Sequence, residues 1–204
     1  MITIVDYGLG NIAAFLNMYK RMNVPAKAVQ TAEALADAKR IVLPGVGAFD
    51  HAMNLLDASG MRSTLERLVS VEKVPVIGIC VGMQILTDGS DEGSRAGLGW
   101  IPGRTRAFGV REDMGDLPLP HMGWNDVAPE PERSLFNSLD ERPRFYFLHS
   151  YYVEPADVAH RAATAHYGFD FACAVQRENV WGVQFHPEKS HHFGATVLKN
   201  FAEL

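Results

Sequence analysis

Residues 74–84 read Val74-Pro75-Val76-Ile77-Gly78-Ile79-Cys80-Val81-Gly82-Met83-Gln84, an apolar run that ends on a thiol. A short, nearly unbroken apolar run is the pattern of a strand buried on both faces, as in a parallel sheet. Glycines stand two residues before and two residues after Cys80, and a helix-like segment follows. This is the cysteine form of the G-x-S-x-G elbow, where a sharp strand-to-helix turn pushes the reactive atom into the open. A side chain at either glycine would crowd the turn and an approaching substrate. A place at a helix N-terminus is expected to favour thiolate over thiol. A lone cysteine in an apolar stretch is also a common core residue, so its surroundings have to decide.

Working outward, the strand belongs to an alternating series. Ile2 to Val5 reads as a strand, and Asn11 caps a helix whose apolar residues Ile12, Phe15, Leu16, Tyr19 and Met22 follow the helical period. Lys27 to Gln30 and Ile41 to Leu43 read as strands, and Ala32 to Ala38, Phe49 to Leu56 and Met61 to Val69 as helices. Val74 to Ile79 is the most buried-looking strand. This β-α-β rhythm predicts an α/β three-layer sandwich with a mostly parallel central sheet covered on both faces. After Ser90 the texture changes to glycines, prolines and short alternating runs: Arg104 to Val110, Arg144 to Leu148, Ala159 to His166 and Val180 to Phe185. These predict added mixed or antiparallel strands. Asp113 to Pro120 and Ala128 to Arg133 read as loops, and a helix near Phe193 to Phe201 closes the chain.

The chain has 204 residues, 47% of them hydrophobic, which suits one domain spanning 1–204 around a single core. Nineteen basic residues against 24 acidic ones give a net charge of −5, with no basic run, which argues against nucleic-acid binding. Two cysteines, Cys80 and Cys173, make no disulfide framework and point to a reducing compartment. The opening Met1-Ile2-Thr3-Ile4-Val5 lacks the charged n-region and the h-region of a signal peptide. No window approaches the length of a membrane span. The expectation is a soluble, cytoplasmic protein without membrane attachment.

A thiol nucleophile needs a base, and the base needs an orienting group. Val183-Gln184-Phe185-His186-Pro187-Glu188 follows directly on a predicted strand. One proline separates His186 from Glu188, so a loop at the strand end can aim both side chains the same way. His186 would take and return protons, while Glu188 would fix its tautomer and stabilise the imidazolium.

Gly-x-Cys-x-Gly-x-Gln with a late His-Pro-Glu resembles the class I glutamine amidotransferases, which use a Cys-His-Glu triad on a flavodoxin-like three-layer fold. Further blocks narrow the resemblance to the histidine-biosynthetic branch of that family. They are Asp6-Tyr7-Gly8-Leu9-Gly10-Asn11, Pro44-Gly45-Val46-Gly47-Ala48-Phe49, Pro120-His121-Met122-Gly123-Trp124-Asn125, His149-Ser150-Tyr151-Tyr152 and Gln184 to Ser190. Together they span nearly the whole chain.

The resemblance implies a glutaminase. Cys80 would attack the glutamine carboxamide to give a thioester and ammonia, and water would then release glutamate. The oxyanion needs aimed N–H donors; Val81 would offer one and the Gly45-Val46-Gly47 loop, through Val46, the other. Reorientation of a peptide bond in that loop would couple hydrolysis to the acceptor. Gly45, Gly47, Gln84, Glu92, Ser150 and Tyr151 match glutamine-binding positions, with Glu92 suited to the ammonium group and the backbone at Ser150 and Tyr151 to the carboxylate. The family partner is a phosphate-binding (β/α)8 cyclase subunit that receives ammonia through a tunnel in a heterodimer. Asn11, Trp124, Tyr146 and Lys189 match positions facing it. No cofactor and no metal is implied. Val81 stands where leucine is commoner, and His191-His192 where small or acidic residues are more usual.

Three other readings compete. Gly8-Leu9-Gly10-Asn11-Ile12-Ala13 fits the dinucleotide fingerprint G-x-G-x-x-A, but the second strand ends in Val29-Gln30-Thr31 without the ribose-binding acid. A solitary cysteine hydrolase of γ-glutamyl peptides would have no use for the partner-facing His-Met-Gly-Trp-Asn block. A metal site from His186, His191 and His192 lacks a completing ligand. A fourth alternative keeps the chemistry and changes the acceptor: paralogous glutaminase subunits supply ammonia for amidation of a surface-polysaccharide sugar.

Overall fold

The computed structural model describes residues 1–140 and 142–204. In chain order its elements are β1 (Ile2–Val5), α1 (Ile12–Arg21), β2 (Ala26–Val29), α2 (Ala32–Leu35), β3 (Ile41–Gly45), α3 (Phe49–Ala58), α4 (Arg62–Glu66), β4 (Val76–Cys80) and α5 (Val81–Gln84). Then come β5 (Gly103–Ala107), β6 (His121–Asp126), β7 (Ala128–Pro129), β8 (Arg144–His149), β9 (Tyr151–Pro155), β10 (Arg161–Tyr167), β11 (Phe169–Arg177), β12 (Val180–Val183) and α6 (His191–Glu203).

The central sheet runs β2-β1-β3-β4-β12-β11-β10-β7. Its first five strands are parallel, and from β11 onward the pairing is antiparallel. β4 sits between β3 and β12, and all five of its residues are buried, which is why its sequence carries no polar alternation. β9 pairs with β11 and β5. β6 and β8 stand apart as a two-stranded antiparallel ribbon rather than joining the central sheet.

The chain steps from β1 to β2 in one direction and from β3 to β4 in the other. Right-handed crossovers therefore place α1 on one face and α3 and α4 on the opposite face. α6 returns to pack beside α1, and α2 beside α4. α1 behaves as its sequence dictates: the Asn11 side chain accepts the Ala14 N–H at 3.1 Å, and Phe15 and Tyr19 are buried, each burial stabilising by roughly 1.5–3 kcal/mol. Among the described residues no helix is long and apolar enough to cross a membrane.

Several expected elements are corrected. The helix expected over Ala32–Ala38 is a single turn, α2, with Leu35 as its one buried anchor. The helix expected over Met61–Val69 begins at Arg62 and widens into a π-helical turn over Arg67–Val71. The strand expected to end at Ile79 includes Cys80. The strand over Arg104–Val110 stops at Ala107, because Phe108 turns inward, fully buried, into an aromatic cluster with Tyr152 and Phe171. Val180–Phe185 is strand only to Val183, and the run beginning at Ala159 becomes strand at Arg161. The presumed loop 128–133 contributes β7, which pairs with β10.

Candidate active site

Three neighbouring parallel strands end on the same edge of the sheet. The register pairs Gly45 with Cys80 and Val183 with Ile79. The residues leaving β3, β4 and β12 therefore meet outside the carboxyl ends of the strands, where open α/β sheets bind ligands. Far-apart segments of sequence converge there for this reason alone.

Cys80 ends β4 with φ 55° and ψ −113°, a left-handed backbone that a residue with a side chain adopts only under constraint, at a cost of about 1–3 kcal/mol. Packing supplies the constraint. A Cβ on Gly78 would run into the Gly82 backbone, and one on Gly82 into the Leu43 carbonyl. A Cβ on Gly45 would lie 2.5 Å from the Gly82 nitrogen. The elbow closes because β3, β4 and α5 touch backbone to backbone. α5 is a single turn, so the expected contribution of a helix dipole at Cys80 is small compared with the side chains around the sulfur.

Those side chains come from β12 and the loop beyond it. Gln184, fully buried, points its amide Nε2 at the Cys80 Sγ at 3.7 Å. Cys80 Sγ also lies 4.0 Å from the Leu148 carbonyl oxygen, and the His186 ring lines the same cavity as the thiol. His186 Nδ1 lies 2.8 Å from Glu188 Oε1, and both side chains are about 95% buried. The carboxylate claims Nδ1–H, which leaves Nε2 as the nitrogen for the sulfur. Burial pulls the His186 pKa down, but the hydrogen bonds to Cys80 and then Glu188 outweigh it and lift it to about 9.

The loop carrying His186 is pinned to β8. The His186 N–H donates to the Tyr146 carbonyl at 2.9 Å, while Ser190 Oγ donates to the His186 carbonyl at 2.6 Å and accepts the Tyr146 N–H at 3.0 Å. Pro187 opens a 3₁₀ turn over Pro187–Lys189 with its φ already fixed.

A cavity of about 290 Å³ opens over the sulfur. Of the residues expected at the site, Val46, Gly47, Cys80, Val81, Gln84, Glu92, Ser150, Tyr151, His186 and Lys189 line it. Gly45 lies beside Cys80 in the sheet, and Glu188 lies behind His186. The Glu92 Oε2 accepts the Phe49 N–H at 2.8 Å, so its carboxylate is fixed against the start of α3. Asp50 holds the same loop by accepting the Ser94 and Arg95 N–H groups, both at 3.0 Å. Gln84 faces the cavity but spends its amide nitrogen on Gln184 Oε1 at 3.1 Å and the Tyr151 carbonyl at 3.4 Å.

Of the four residues expected to face a partner, three cluster together, and one of them, Lys189, lines the cavity. Trp124 is 39% exposed and packs edge-on to Tyr146, with ring centroids 6.4 Å apart, and the Lys189 ammonium lies 5.5 Å from the Tyr146 ring centroid. His191 stacks on Trp124 at 5.3 Å. Asn11 sits at the start of α1, the helix that packs beside the 187–189 turn. Sequence reasoning missed His149 and Leu148 in the cavity wall, and Gln184 and Ser190 behind it. All four lie in or beside blocks already singled out, but their roles depend on contacts between strands.

The competing readings meet specific obstacles. Gln30, at the position a ribose-binding acid would take, is bonded to Asp6 at 2.6 Å, and a Cβ on Gly10 would press on Pro44 at 2.7 Å. His191 lies on Trp124 while His192 faces Asp140, so the two histidines diverge. No group of three or more ligating side chains suited to a metal ion occurs among the described residues.

Comparison with known proteins follows the same line. The sequence profile of the family "Glutamine amidotransferase class-I" matches residues 3–204. A protein of Bdellovibrio bacteriovorus named imidazole glycerol phosphate synthase subunit HisH is 57% identical over 204 residues, covering 100% of both chains. Its namesake in Leptospira borgpetersenii is 50% identical with the same coverage. Among solved structures, a crystal structure described as a glutamine amidotransferase aligns with a TM-score of 0.77 at 17% identity, covering 99% of this chain and 97% of the other. The structure of PurLQS from Thermotoga maritima aligns with a TM-score of 0.73 at 16% identity, covering 99% of this chain and 97% of that one.

Proposed function

The chain belongs to the class I glutamine amidotransferase family, and we propose from this that it is the glutaminase subunit of an imidazole glycerol phosphate synthase. The observation that carries the chemistry is the left-handed Cys80 elbow facing the His186–Glu188 pair across one cavity. Full-length relatives bearing that synthase's name at 50% identity and above support the choice of acceptor over the polysaccharide alternative.

In this reading the Cys80 sulfur attacks the carboxamide carbon of glutamine, and the carbonyl oxygen takes the developing charge. The Val81 N–H and a peptide N–H of the Val46–Gly47 loop answer that charge. His186, cationic at rest, gives its proton to the departing nitrogen, so the C–N bond breaks to ammonia and a thioester. Neutral His186 then takes a proton from water, hydroxide adds to the thioester, the C–S bond breaks to release glutamate, and the thiolate and cationic His186 are regenerated. Glu188 holds Nδ1–H throughout. Glu92 receives the substrate ammonium, and the Ser150–Tyr151 backbone its carboxylate.

Ammonia lost to water becomes ammonium and cannot attack. The proposed recipient is a (β/α)8 cyclase subunit docked over Trp124, Tyr146 and Lys189. It would turn N'-(5'-phosphoribulosyl)formimino-AICAR ribonucleotide into imidazole glycerol phosphate and AICAR in the cytoplasm. One domain spanning 1–204 performs the glutaminase half. The test is co-purification with the cyclase of the same genome, followed by glutaminase assays with and without the cyclase ligand. Near-silence of the isolated chain, activity in the loaded complex and none with Cys80→Ala are expected; equal turnover alone and in complex would refute the pairing.

A further inference from the structure

Two buried histidines take no part in the chemistry above. His121 on β6 and His149 on β8 face each other in register, and both are about 95% or more buried. His121 Nδ1 lies 2.8 Å from His149 Nε2, and His149 Nδ1 lies 2.8 Å from the Tyr151 carbonyl oxygen. At the outer end Asn125 Nδ2 lies 3.2 Å from His121 Nε2.

These contacts admit one arrangement of protons. The Asn125 amide orientation is fixed, because its Nδ2 also donates to the His166 carbonyl at 2.8 Å and its Oδ1 accepts the Asp126 N–H at 2.8 Å. Asn125 therefore donates to His121 Nε2, which must be bare. Neutral His121 then carries its proton on Nδ1 and donates to His149 Nε2. His149, bare at Nε2, carries its own proton on Nδ1 and donates to the Tyr151 carbonyl. A second proton on either ring would set N–H against N–H. The rings around the pair are apolar, with His121 stacked between Phe147 and Tyr167, so no other partner competes.

The receiving end matters. Tyr151 and Ser150 line the cavity, and His149 itself forms part of the wall. The Tyr151 carbonyl also takes a hydrogen bond from Gln84. Two donors thus hold the Tyr151–Tyr152 peptide, next along the chain from the Ser150–Tyr151 peptide. We propose that His149 is a positioning residue for the substrate's amino-acid end, fixing the Ser150–Tyr151 backbone that receives the α-carboxylate, and that Asn125 and His121 lock it in the tautomer that does so. The inference deepens the glutaminase reading and rests on it.

Two measurements test it on the full chain reconstituted with its cyclase subunit. The first is steady-state kinetics. His149→Asn keeps an amide N–H near the Nδ1 position and should hold the KM for glutamine near its wild-type value. His149→Leu has no donor and should raise that KM by about tenfold or more with kcat little changed, the mark of lost ground-state binding. The second is nitrogen-15 imidazole spectroscopy of the full chain. Both rings should show the neutral Nδ1–H tautomer in wild type, and His121→Phe should free His149 Nε2 to take up a second proton at a higher pH than in wild type. His149→Leu matching His149→Asn, a loss confined to kcat, or an Nε2–H tautomer at His149 would each overturn the inference. Absence of glutaminase activity in the wild-type complex would instead remove the reading beneath it, and the inference with it.

Discussion

Acidification from pH 7 to pH 5 should cost this fold about 4 kcal/mol through two side chains. Burial pulls His121 down to about 4 and His149 to about 3, from an ordinary 6.5. Both are neutral in the native state and must take up a proton on unfolding once the pH falls below about 6.5. The unfolded state then binds more protons, so stability falls with pH. At pH 5, 1.5 units below the ordinary value, each histidine contributes roughly 2 kcal/mol of loss, since one unit is worth about 1.36 kcal/mol. The limiting slope for the pair is about 2.7 kcal/mol per pH unit, large against a net stability of about 5–15 kcal/mol.

The other groups with shifted pKa values act mostly outside that window, and His186 offsets only about 1 kcal/mol of the loss, between pH 7 and about 6. His186 is raised to about 9, so its contribution is whole below about 6.5 and is lost as the pH rises through 9. Asp50, Asp57 and Asp91 are lowered from 3.8, by backbone or arginine hydrogen bonds that outweigh burial. Their contributions are present above that value and fade only at more acid pH. Stability should therefore peak near neutrality. Urea unfolding at half-unit steps between pH 5 and 7 measures the slope, and His121→Phe, which deletes one of the two groups, should roughly halve it. A wild-type stability that stays flat across this window, or an unchanged slope in His121→Phe, would refute the account of a neutral buried pair.

Iodoacetamide should label the native chain once, at Cys80, and not at all in Cys80→Ala by intact mass, because Cys173 is fully buried and burial pushes its thiol far up. Gly45→Ala should destabilise by about 1–3 kcal/mol and abolish activity, since its Cβ meets rigid backbone at Gly82; for the same reason Gly45→Pro would not isolate a peptide reorientation. Gly47→Ala has open space around it and only φ +87° to overcome, so it should fold with a loss of about 1–2 kcal/mol and is the cleaner probe of the loop. Thermal unfolding separates the two. Tyr7→Phe should leave the fold as stable or about 1 kcal/mol more so, because the Tyr7 hydroxyl is buried without a hydrogen-bond partner; a clear drop in melting temperature would contradict this.

The parallel half of the molecule was legible because its signals are local. β4 is an apolar run bounded by a proline and the elbow, and α1 has a cap and a helical period. Glycine at 78 and 82 declared the turn before any contact was known. The antiparallel half was not legible in the same way. β11, nine residues of Phe169–Arg177, has the burial pattern of an outer and then an inner strand, and no single period describes it. β6 carries a glycine with φ +121° in its middle, which weakens any strand signal. Its motif was conspicuous while its structure was not.

The histidine pair lay furthest out of reach, and the reason is register. His121 and His149 meet only because β6 and β8 pair residue 121 with 149 and 124 with 146. That register sends His121, Phe147 and His149 inward and leaves Met122, Trp124 and Leu148 exposed. A slip of one residue along β8 would turn every side chain over. His149 would then face solvent, Leu148 would lose its place beside the sulfur, and Tyr146 could not receive the His186 N–H. The ribbon's pairing is thus a precondition for the placement of His186 as much as for that of the Ser150–Tyr151 backbone.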